Sequence, residues 1–500
     1  MKILDTTQIR ALDAYTIQHE PIASVDLMER AALAFTSWFA AHFDTTKPLK
    51  VFCGLGNNGG DGLAIARLLV AKKYQVSAYV VDYSDKKSDD WMVNYERVSK
   101  LLIVQHIKNI NNFPLIGDGE VFIDAIFGSG LSRPTEGLVK DVIDLMNEQA
   151  SAIVSVDIAS GLYADSPNPE GATIVKPQFT VALQVPKLAF LLPRNASFVG
   201  EWQVVDIGLN KAFLDKLATD YEYLDDKMAN SLLKPRSKYS HKGTFGHALL
   251  VAGSYGKMGA AVLSARACLR SGVGLLTTRI PQCGYEIMQT AVPEAMALTD
   301  DAYEHFSFVP PLQPYNAIGI GPGLGKAEET LKAFSDLLMA LEQPSEEKHP
   351  ALVIDADGLN LLSENRDLLR RLPPDTILTP HPKEFERLAG KAENDFDQLE
   401  LLKDFAATHQ VYVVLKGANT AIATPEGTVY FNSTGNPGMA TGGTGDVLTG
   451  MITALIAQTY SPLEAALIGV YQHGRAGDKA AAQRGQSAMI ASDLVEAIGW

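Results

Sequence analysis

Short apolar runs separated by helix-length segments recur along this 500-residue chain, and this alternation constrains its fold more than any other feature. In the first half the runs fall at residues 50–53, 75–81, 121–127, 152–158, 179–185 and 202–207. In the second half they fall at 247–252, 275–280, 317–320, 351–355, 376–379 and 411–415. Strands joined by crossovers of that length pair in parallel, and a parallel sheet needs helices on both faces. The expected fold class is therefore α/β, with chemistry in the loops that follow the strands.

Helical spacing predicts two helices before the first strand, at 6–20 and 24–43, the latter marked by Leu27, Ala31, Ala34, Phe35 and Trp38. A hairpin is expected across 422–431 with Pro425-Glu426-Gly427 at its turn, and two helices close the chain at 445–458 and 462–483. A chain of this length suggests about three domains at roughly 150 residues each. The polar stretch 210–242, with its breaker cluster Lys234-Pro235-Arg236-Ser237, gives a different division: a domain at 1–213, a linker at 214–241 and a domain at 242–500. Neither half repeats the other.

Charge narrows the partners. Lys plus Arg total 43 against 58 Asp plus Glu, a net charge of −15, which opposes binding to nucleic acid or an anionic membrane. Asp5, Arg10 and Asp13 interrupt the start before an apolar signal segment could form, and no run reaches the roughly 18 apolar residues of a membrane span. Cys53, Cys268 and Cys283 stand far apart without a C-x-x-C pair. A cytoplasmic protein with reduced cysteines is expected.

Gly54-Leu55-Gly56-Asn57-Asn58-Gly59 matches G-x-G-x-x-G between a predicted strand and a predicted helix, and Asp82 ends the next strand. A dinucleotide cradle and a glycine turn that serves packing alone both fit that pattern. The continuation Asn57-Asn58-Gly59-Gly60-Asp61-Gly62 places a carboxylate in the expected first helical turn, where it would repel a phosphate, and favours a neutral group or a cation. Asp124 precedes Gly128-Ser129-Gly130-Leu131-Ser132-Arg133-Pro134, and Asp157 precedes Ala159-Ser160-Gly161. Strand ends in a parallel sheet converge, so these oxygen-rich loops are candidates to surround a hard cation, although a single Asp at a strand end also serves as a helix cap.

GLGNNGGDGLAIARLL, DAIFGSGLSRP and VDIASGL together resemble the NAD(P)HX epimerase family, over roughly residues 6–209. The resemblance implies a Rossmann-like three-layer sandwich that binds potassium through Asn58, Asp124 and Ser160. It also implies a surface for the hydrated nucleotide made of Asn57, Asn58, Gly59, Gly60, Asp61, Gly128 through Pro134 and Asp157, with Asp157 in proton transfer. Ala159 departs from the proline usual before that serine.

In the second half, Asn436 to Asp446 (NPGMATGGTGD) runs into a helical pattern. Such a turn aims consecutive N–H groups at an anion, and Asp446 stands where a carboxylate could take a proton from an attacking hydroxyl, or simply cap the helix. No G-x-x-x-x-G-K-[ST] element occurs. Lys416-Gly417-Ala418-Asn419-Thr420 at a strand end offers a second phosphate-binding element. KGTFGHALLVAGS, MGAA, GIGPGLG, LVIDADGLNLL, LTPHPKEFERL and NPGMATGGTGDVLTG together resemble the NAD(P)HX dehydratase family of the ribokinase-like superfamily. That likeness implies Ala261, Gly323, His381 and Asp446 for the hydrated nucleotide. It implies Lys416, Gly417, Ala418, Asn419, Thr420 and Gly445 for the adenine nucleotide, with Asp446 catalytic.

Taken together the two resemblances imply repair of NADHX and NADPHX: epimerisation of the R to the S form, then ADP-dependent dehydration with release of AMP and phosphate. They further imply magnesium in the second domain and a homo-oligomer. Two other readings remain open: a nicotinamide-dependent oxidoreductase fused to a small-molecule kinase, and a first half that binds without turnover.

Overall fold

The computed structural model describes residues 1–117, 119–343 and 349–500. The chain divides into two compact units, one of residues 2–221 and one of residue 1 with residues 222–500.

In the first unit, helices α1 (Thr6–His19) and α2 (Ser24–His42) precede the strands. Strand β1 (Leu49–Cys53) leads through α3 (Asn57–Ala71) to β2 (Val76–Val81), and α4 (Asp89–Ser99) leads to β3 (Val104–Ile107). There follow β4 (Val121–Ala125), α5 (Gly137–Gln149), β5 (Ala152–Val156), β6 (Phe179–Leu183) and β7 (Glu201–Val205). The sheet order is β3-β2-β1-β4-β5-β6-β7 with every pairing parallel. Side chains alternate between its two faces: Val51, Cys53, Ala78, Val80 and Ile123 join the α2–α4 core, while Phe52, Tyr79, Val81 and Phe122 join the α5 core. Two apolar faces explain why these strands read as mostly apolar runs, and every residue of β1 and of β4 is buried, Lys50 and Asp124 included. The chain reverses direction across the sheet between β1 and β4. A crevice opens at such a reversal, outside the carboxyl ends of the strands.

In the second unit, β8 (His247–Val251) leads through α6 (Met258–Arg270) to β9 (Leu275–Ile280) and β10 (Met296–Thr299). Then come β11 (Ala317–Ile320), β12 (Ala351–Ile354), α7 (Ala356–Glu364), β13 (Ile377–Leu378), α8 (Pro382–Ala389) and β14 (Tyr412–Leu415). The hairpin β15 (Ala421–Ala423) and β16 (Val429–Asn432) precedes α9 (Thr444–Ala457), α10 (Pro462–Arg484) and α11 (Ala491–Ala497). These strands lie in the order β10-β9-β8-β11-β12-β13-β14-β15-β16. Pairings are parallel up to β14, and the hairpin continues antiparallel, with Ile422 opposite Tyr430.

The α/β class and the positions of the long helices agree with the sequence reading. Strands β3 and β10, both short and at sheet edges, escaped it, as did the two-residue strand Lys2–Ile3. Within 214–241, read as a linker without a strong β pattern, the structure carries a strand at Tyr221–Leu224 and a helix at Asp226–Ser231.

Candidate active sites

In the first unit a cavity of about 760 Å³ lies at the reversal between β1 and β4. Asn57, Asn58 and Asp61 of α3 line it, with Gly128 through Pro134 after β4, Asp157 after β5, and Thr6, Ile9, Arg10 and Asp13 of α1. Gly59 and Gly60 do not line it. They are buried beneath: a Cβ on Gly59 would lie 2.1 Å from the Gly54 carbonyl oxygen, and one on Gly60 would lie 2.8 Å from Met28 Sδ. Gly54 itself would bring a Cβ within 1.9 Å of the Ile126 carbonyl, so the glycines here serve close approach of backbones. The Trp91 indole donates to the Gly54 carbonyl at 2.8 Å and supports the turn from behind.

One sequence expectation changes: Gly56 is the N-cap of α3, so Asp61 lies in the second turn and no acid occupies the first. Asp82 does not line the cavity; its carboxylate meets His106 Nδ1 at 2.8 Å.

Below the cavity floor, Asp124, Ser160 and Asn58 gather around the Phe127 backbone. Asn58 Nδ2 donates to the Phe127 carbonyl at 2.9 Å, and the Phe127 N–H donates to Ser160 Oγ at 2.8 Å. The Ser160 hydroxyl and N–H, the Ser155 hydroxyl and the Ile126 N–H all donate to the Asp124 carboxylate. Asp124 and Ser160 are fully buried. Burial raises the Asp124 carboxyl above its ordinary range, opposed by these hydrogen bonds.

Asp157 adopts φ 67°, a left-handed conformation uncommon outside glycine, held by its N–H donating to the Val181 carbonyl at 2.9 Å. Its Oδ1 accepts from the Leu183 N–H at 3.1 Å and from the Lys187 ammonium, which is 1% exposed and also meets the Val185 carbonyl at 3.2 Å. Asp13 and Asp61 lack such donors. Burial, then Asp157, pushes Asp13 up to about 6 against an opposing pull from Lys187, and burial, Asp157 and Asp13 raise Asp61 well above the carboxylate range.

In the second unit a cavity of about 520 Å³ is lined by Gly323, Gly442, Gly443 and Asp446, by Lys257 and Ala260 of the α6 start, and by Asp357 and Glu384. Gly443 caps α9 at φ 92° and accepts the first helical hydrogen bond, from the Val447 N–H, so the N–H groups of 444–446 have no partner within the helix. Asp446 lies among them. Burial and then Asp355 push its carboxyl up to about 6, with Lys416 opposing and Asp357 adding.

Lys416 reaches behind this turn: its Nζ donates to Asp355 Oδ1 at 2.9 Å, while Thr449 Oγ1 donates to Asp355 Oδ2 at 2.7 Å. A Cβ on Gly445 would stand 3.3 Å from that Nζ. Gly417 through Thr420 form a tight turn outside the cavity, the Gly417 N–H donating to Thr420 Oγ1 at 3.2 Å. His381 is the N-cap of α8, its Nδ1 accepting from the Lys383 and Glu384 N–H groups, and it does not line the cavity. Nor does Ala261, whose side chain is 1% exposed in the core; the neighbouring Ala260 lines the cavity instead.

A family model described as NAD(P)H-hydrate dehydratase matches residues 248–499, and one described as YjeF-related protein N-terminus matches residues 24–189. A Moorella thermoacetica protein named bifunctional NAD(P)H-hydrate repair enzyme Nnr is 36% identical over 518 residues, spanning 99% of this chain and 96% of that protein. The chain belongs to this repair-enzyme family. A relative of the same name from Thermofilum pendens is 34% identical, over 99% of this chain and 95% of its own. Among solved structures, the ADP/ATP-dependent NAD(P)H-hydrate dehydratase of Bacillus subtilis, co-crystallised with ATP and Mg2+, is 32% identical. It matches 56% of this chain and 97% of its own with a TM-score of 0.48.

Several residues in or beside these cavities escaped the sequence reading: Asp13 and Arg10, which line the first, Lys187, which pairs with Asp157, and Asp355 and Thr449, which join Lys416 in the second unit. Asp13 and Arg10 did carry a signal. Thr6, Ile9, Arg10 and Asp13 stand at helical spacing, a mixed polar stripe on a helix that otherwise buries Leu12 and Thr16.

Proposed function

We propose that the chain repairs hydrated NADH and NADPH in two steps, with residues 1–213 as the epimerase, 214–241 as the linker and 242–500 as the dehydratase. The observation that carries this reading is Asp446 beside unpaired helix N–H groups in a glycine-lined cavity, in a chain matched end to end by bifunctional repair enzymes.

Hydration of the dihydropyridine, an enamine, leaves a hydroxyl on the carbon bonded to the ring nitrogen. In the dehydratase Asp446 takes the proton of that hydroxyl as its oxygen attacks the terminal phosphoryl of ADP. The bond to AMP breaks, and the N–H groups of 444–446 stabilise the charge on the transferred group. Phosphate then leaves as the ring nitrogen donates its lone pair, and loss of a proton from the adjacent carbon restores the double bond. Gly323, His381 and Ala261 are assigned to the hydrated nucleotide. Lys416 through Thr420 and Gly445 are assigned to ADP, with Asp355 and Thr449 positioning Lys416. Magnesium bound to the phosphates would screen their charge. Asp357 and Glu384, which line the cavity together with Asp446, are the carboxylates that would help to hold it, and no group of three His, Cys, Asp or Glu forms a metal cage among the described residues.

In the epimerase, Asp157 handles protons while Asn57, Asn58, Asp61 and Gly128 through Pro134 hold the substrate, over the buried Gly59 and Gly60. The buried oxygens of Asn58, Asp124, Ser160 and Phe127 are an oxygen-only set with a single carboxylate, which suits potassium. A bound potassium would fix the floor of the cavity. The protein is further proposed to be cytoplasmic and to form a homo-oligomer; among the described residues no helix is long and apolar enough to cross a membrane.

The test supplies mixed epimers of hydrated NADH with ADP, Mg2+ and K+, and follows recovery of NADH absorbance. Recovery of both epimers above the uncatalysed rate is expected. Recovery of neither sinks the proposal, and exchange of K+ for tetramethylammonium should slow only the R epimer.

A further inference from the structure

Four carboxylates line the first cavity, Asp13, Asp61, Glu136 and Asp157, and the fold treats the three aspartates differently. Asp157 is fixed by the Leu183 N–H and by Lys187, whose buried ammonium keeps a negative partner beside it. Asp13 accepts no hydrogen bond from any described residue, and neither does Asp61. A carboxyl enclosed without donors is costly as an anion and is best kept as an acid that can give its proton away.

The position of Asp13 is built, not incidental. Asp5 caps α1 through a capping box with Gln8, and Thr6 ties the helix start down. The Thr6 N–H donates to Asp165 Oδ2 at 2.8 Å, and its hydroxyl donates to the Ser129 carbonyl at 3.2 Å in the loop that lines the cavity. One face of the helix then presents Thr6, Ile9, Arg10 and Asp13 to the cavity. The charged and titratable groups that share the enclosure with Asp13 are Asp61 on α3, Tyr83 after β2, Arg133 after β4, Asp157 after β5 with Lys187 paired behind it, Glu136 at the start of α5 and Arg10 on its own helix.

We propose that Asp13 is the proton donor of the epimerase, acting on the ring hydroxyl of the hydrated nicotinamide while Asp157 is the base. This rests on the epimerase reading above. The Asp13 proton passes to the ring hydroxyl, the C–O bond breaks as the ring nitrogen lone pair forms C=N⁺, and water is released. Water then attacks the opposite face of that carbon, a C–O bond forms, the C=N⁺ electrons return to nitrogen, and the departing proton goes to Asp157. Asp13 ends ionised and Asp157 protonated, so one proton transfer between them, with Asp61 alongside, resets the site. No oxidant or second substrate is needed.

The full-length protein is assayed without ADP, reading R-to-S conversion by chromatography. Asp13→Asn should lower kcat by about 100-fold or more with little change in KM. Wild-type kcat should decline as pH rises past about 6, the value to which burial brings Asp13, and Asp13→Asn should lose that decline. Asp13→Ala should regain rate in proportion to added formic acid, and Asp13→Glu should keep part of it, which a structural role would not produce. ADP-dependent dehydration of the S epimer, unchanged in each variant, reports an intact chain. A rate within about threefold of wild type in Asp13→Asn, or a lost rate that formic acid leaves unrestored, overturns the assignment. A wild-type protein that dehydrates the S epimer but fails to epimerise overturns the epimerase reading itself.

Discussion

Asp446 shows how a single residue trades stability for chemistry. Its carboxyl is pushed up to about 6 chiefly by burial, with Asp355 second. The native state therefore holds a proton that the unfolded chain releases near the ordinary value of 3.8, and stability falls as pH rises between those two values. Asp446→Asn removes that cost, and at pH 7.5 it should raise stability by about 2 kcal/mol in a denaturant titration. The same variant should lower dehydration by about 10³-fold while sparing epimerisation. A variant that loses dehydration and also melts earlier would contradict this account. Lys187 predicts the opposite pairing. Lys187→Met leaves Asp157 part-buried without its cation, and should cost about 3–5 kcal/mol as well as the epimerase activity. Differential scanning calorimetry together with the two separate assays distinguishes these outcomes.

At the scale of elements, the loop after β1 is shaped by contact between backbones. Gly54→Ala places a methyl 1.9 Å from the Ile126 carbonyl, against main chain that cannot rotate away. It should lower the first unit's stability by about 3 kcal/mol or more, and abolish epimerisation while dehydration persists. The central strands were legible in the sequence for a related reason: β1 and β4 are covered on both faces, and only Lys50, paired with Glu120, and Asp124 interrupt their apolar sequence. By contrast β3 reads VQHI with Gln105 exposed, and β10 reads MALT with Met296 exposed. An edge strand buries less of itself and leaves a weaker pattern. The sites show the same division. Asn58, Asp124, Asp157 and Asp446 were legible because each follows a strand or opens a helix. Asp13 reaches the cavity and Lys187 reaches Asp157 from elements remote in sequence, and neither stands in a motif. Gly59 and Gly60 belonged to the motif through packing, a role that the pattern alone does not distinguish from binding.

At the scale of the whole molecule, the proposed roles of Asp13 and Asp446 make the two units an acid and a base in series. The epimerase needs Asp13 protonated and should lose activity as pH rises past about 6, whereas the dehydratase needs Asp446 ionised and should lose activity as pH falls past about 6. Full repair of an R-epimer sample runs through both. Its rate should trace a narrow bell with its maximum near 6, where the two limbs cross, while repair of pure S epimer should rise with pH and level off. Asp13→Asn supplemented with a separate epimerase should convert the bell into the simple rise, because only the Asp446 limb then remains. If R and S samples show the same pH profile, the acid and base assignments cannot both stand. The net charge of −15 belongs to the same argument. The substrates are anions, so attraction must be local, and each cavity sets cations or helix N–H groups beside its carboxylates: Arg10, Arg133 and Lys187 in the first, Lys257, Lys416 and the start of α9 in the second. Salt should therefore raise KM for both activities through screening while leaving each kcat limb at its own pH.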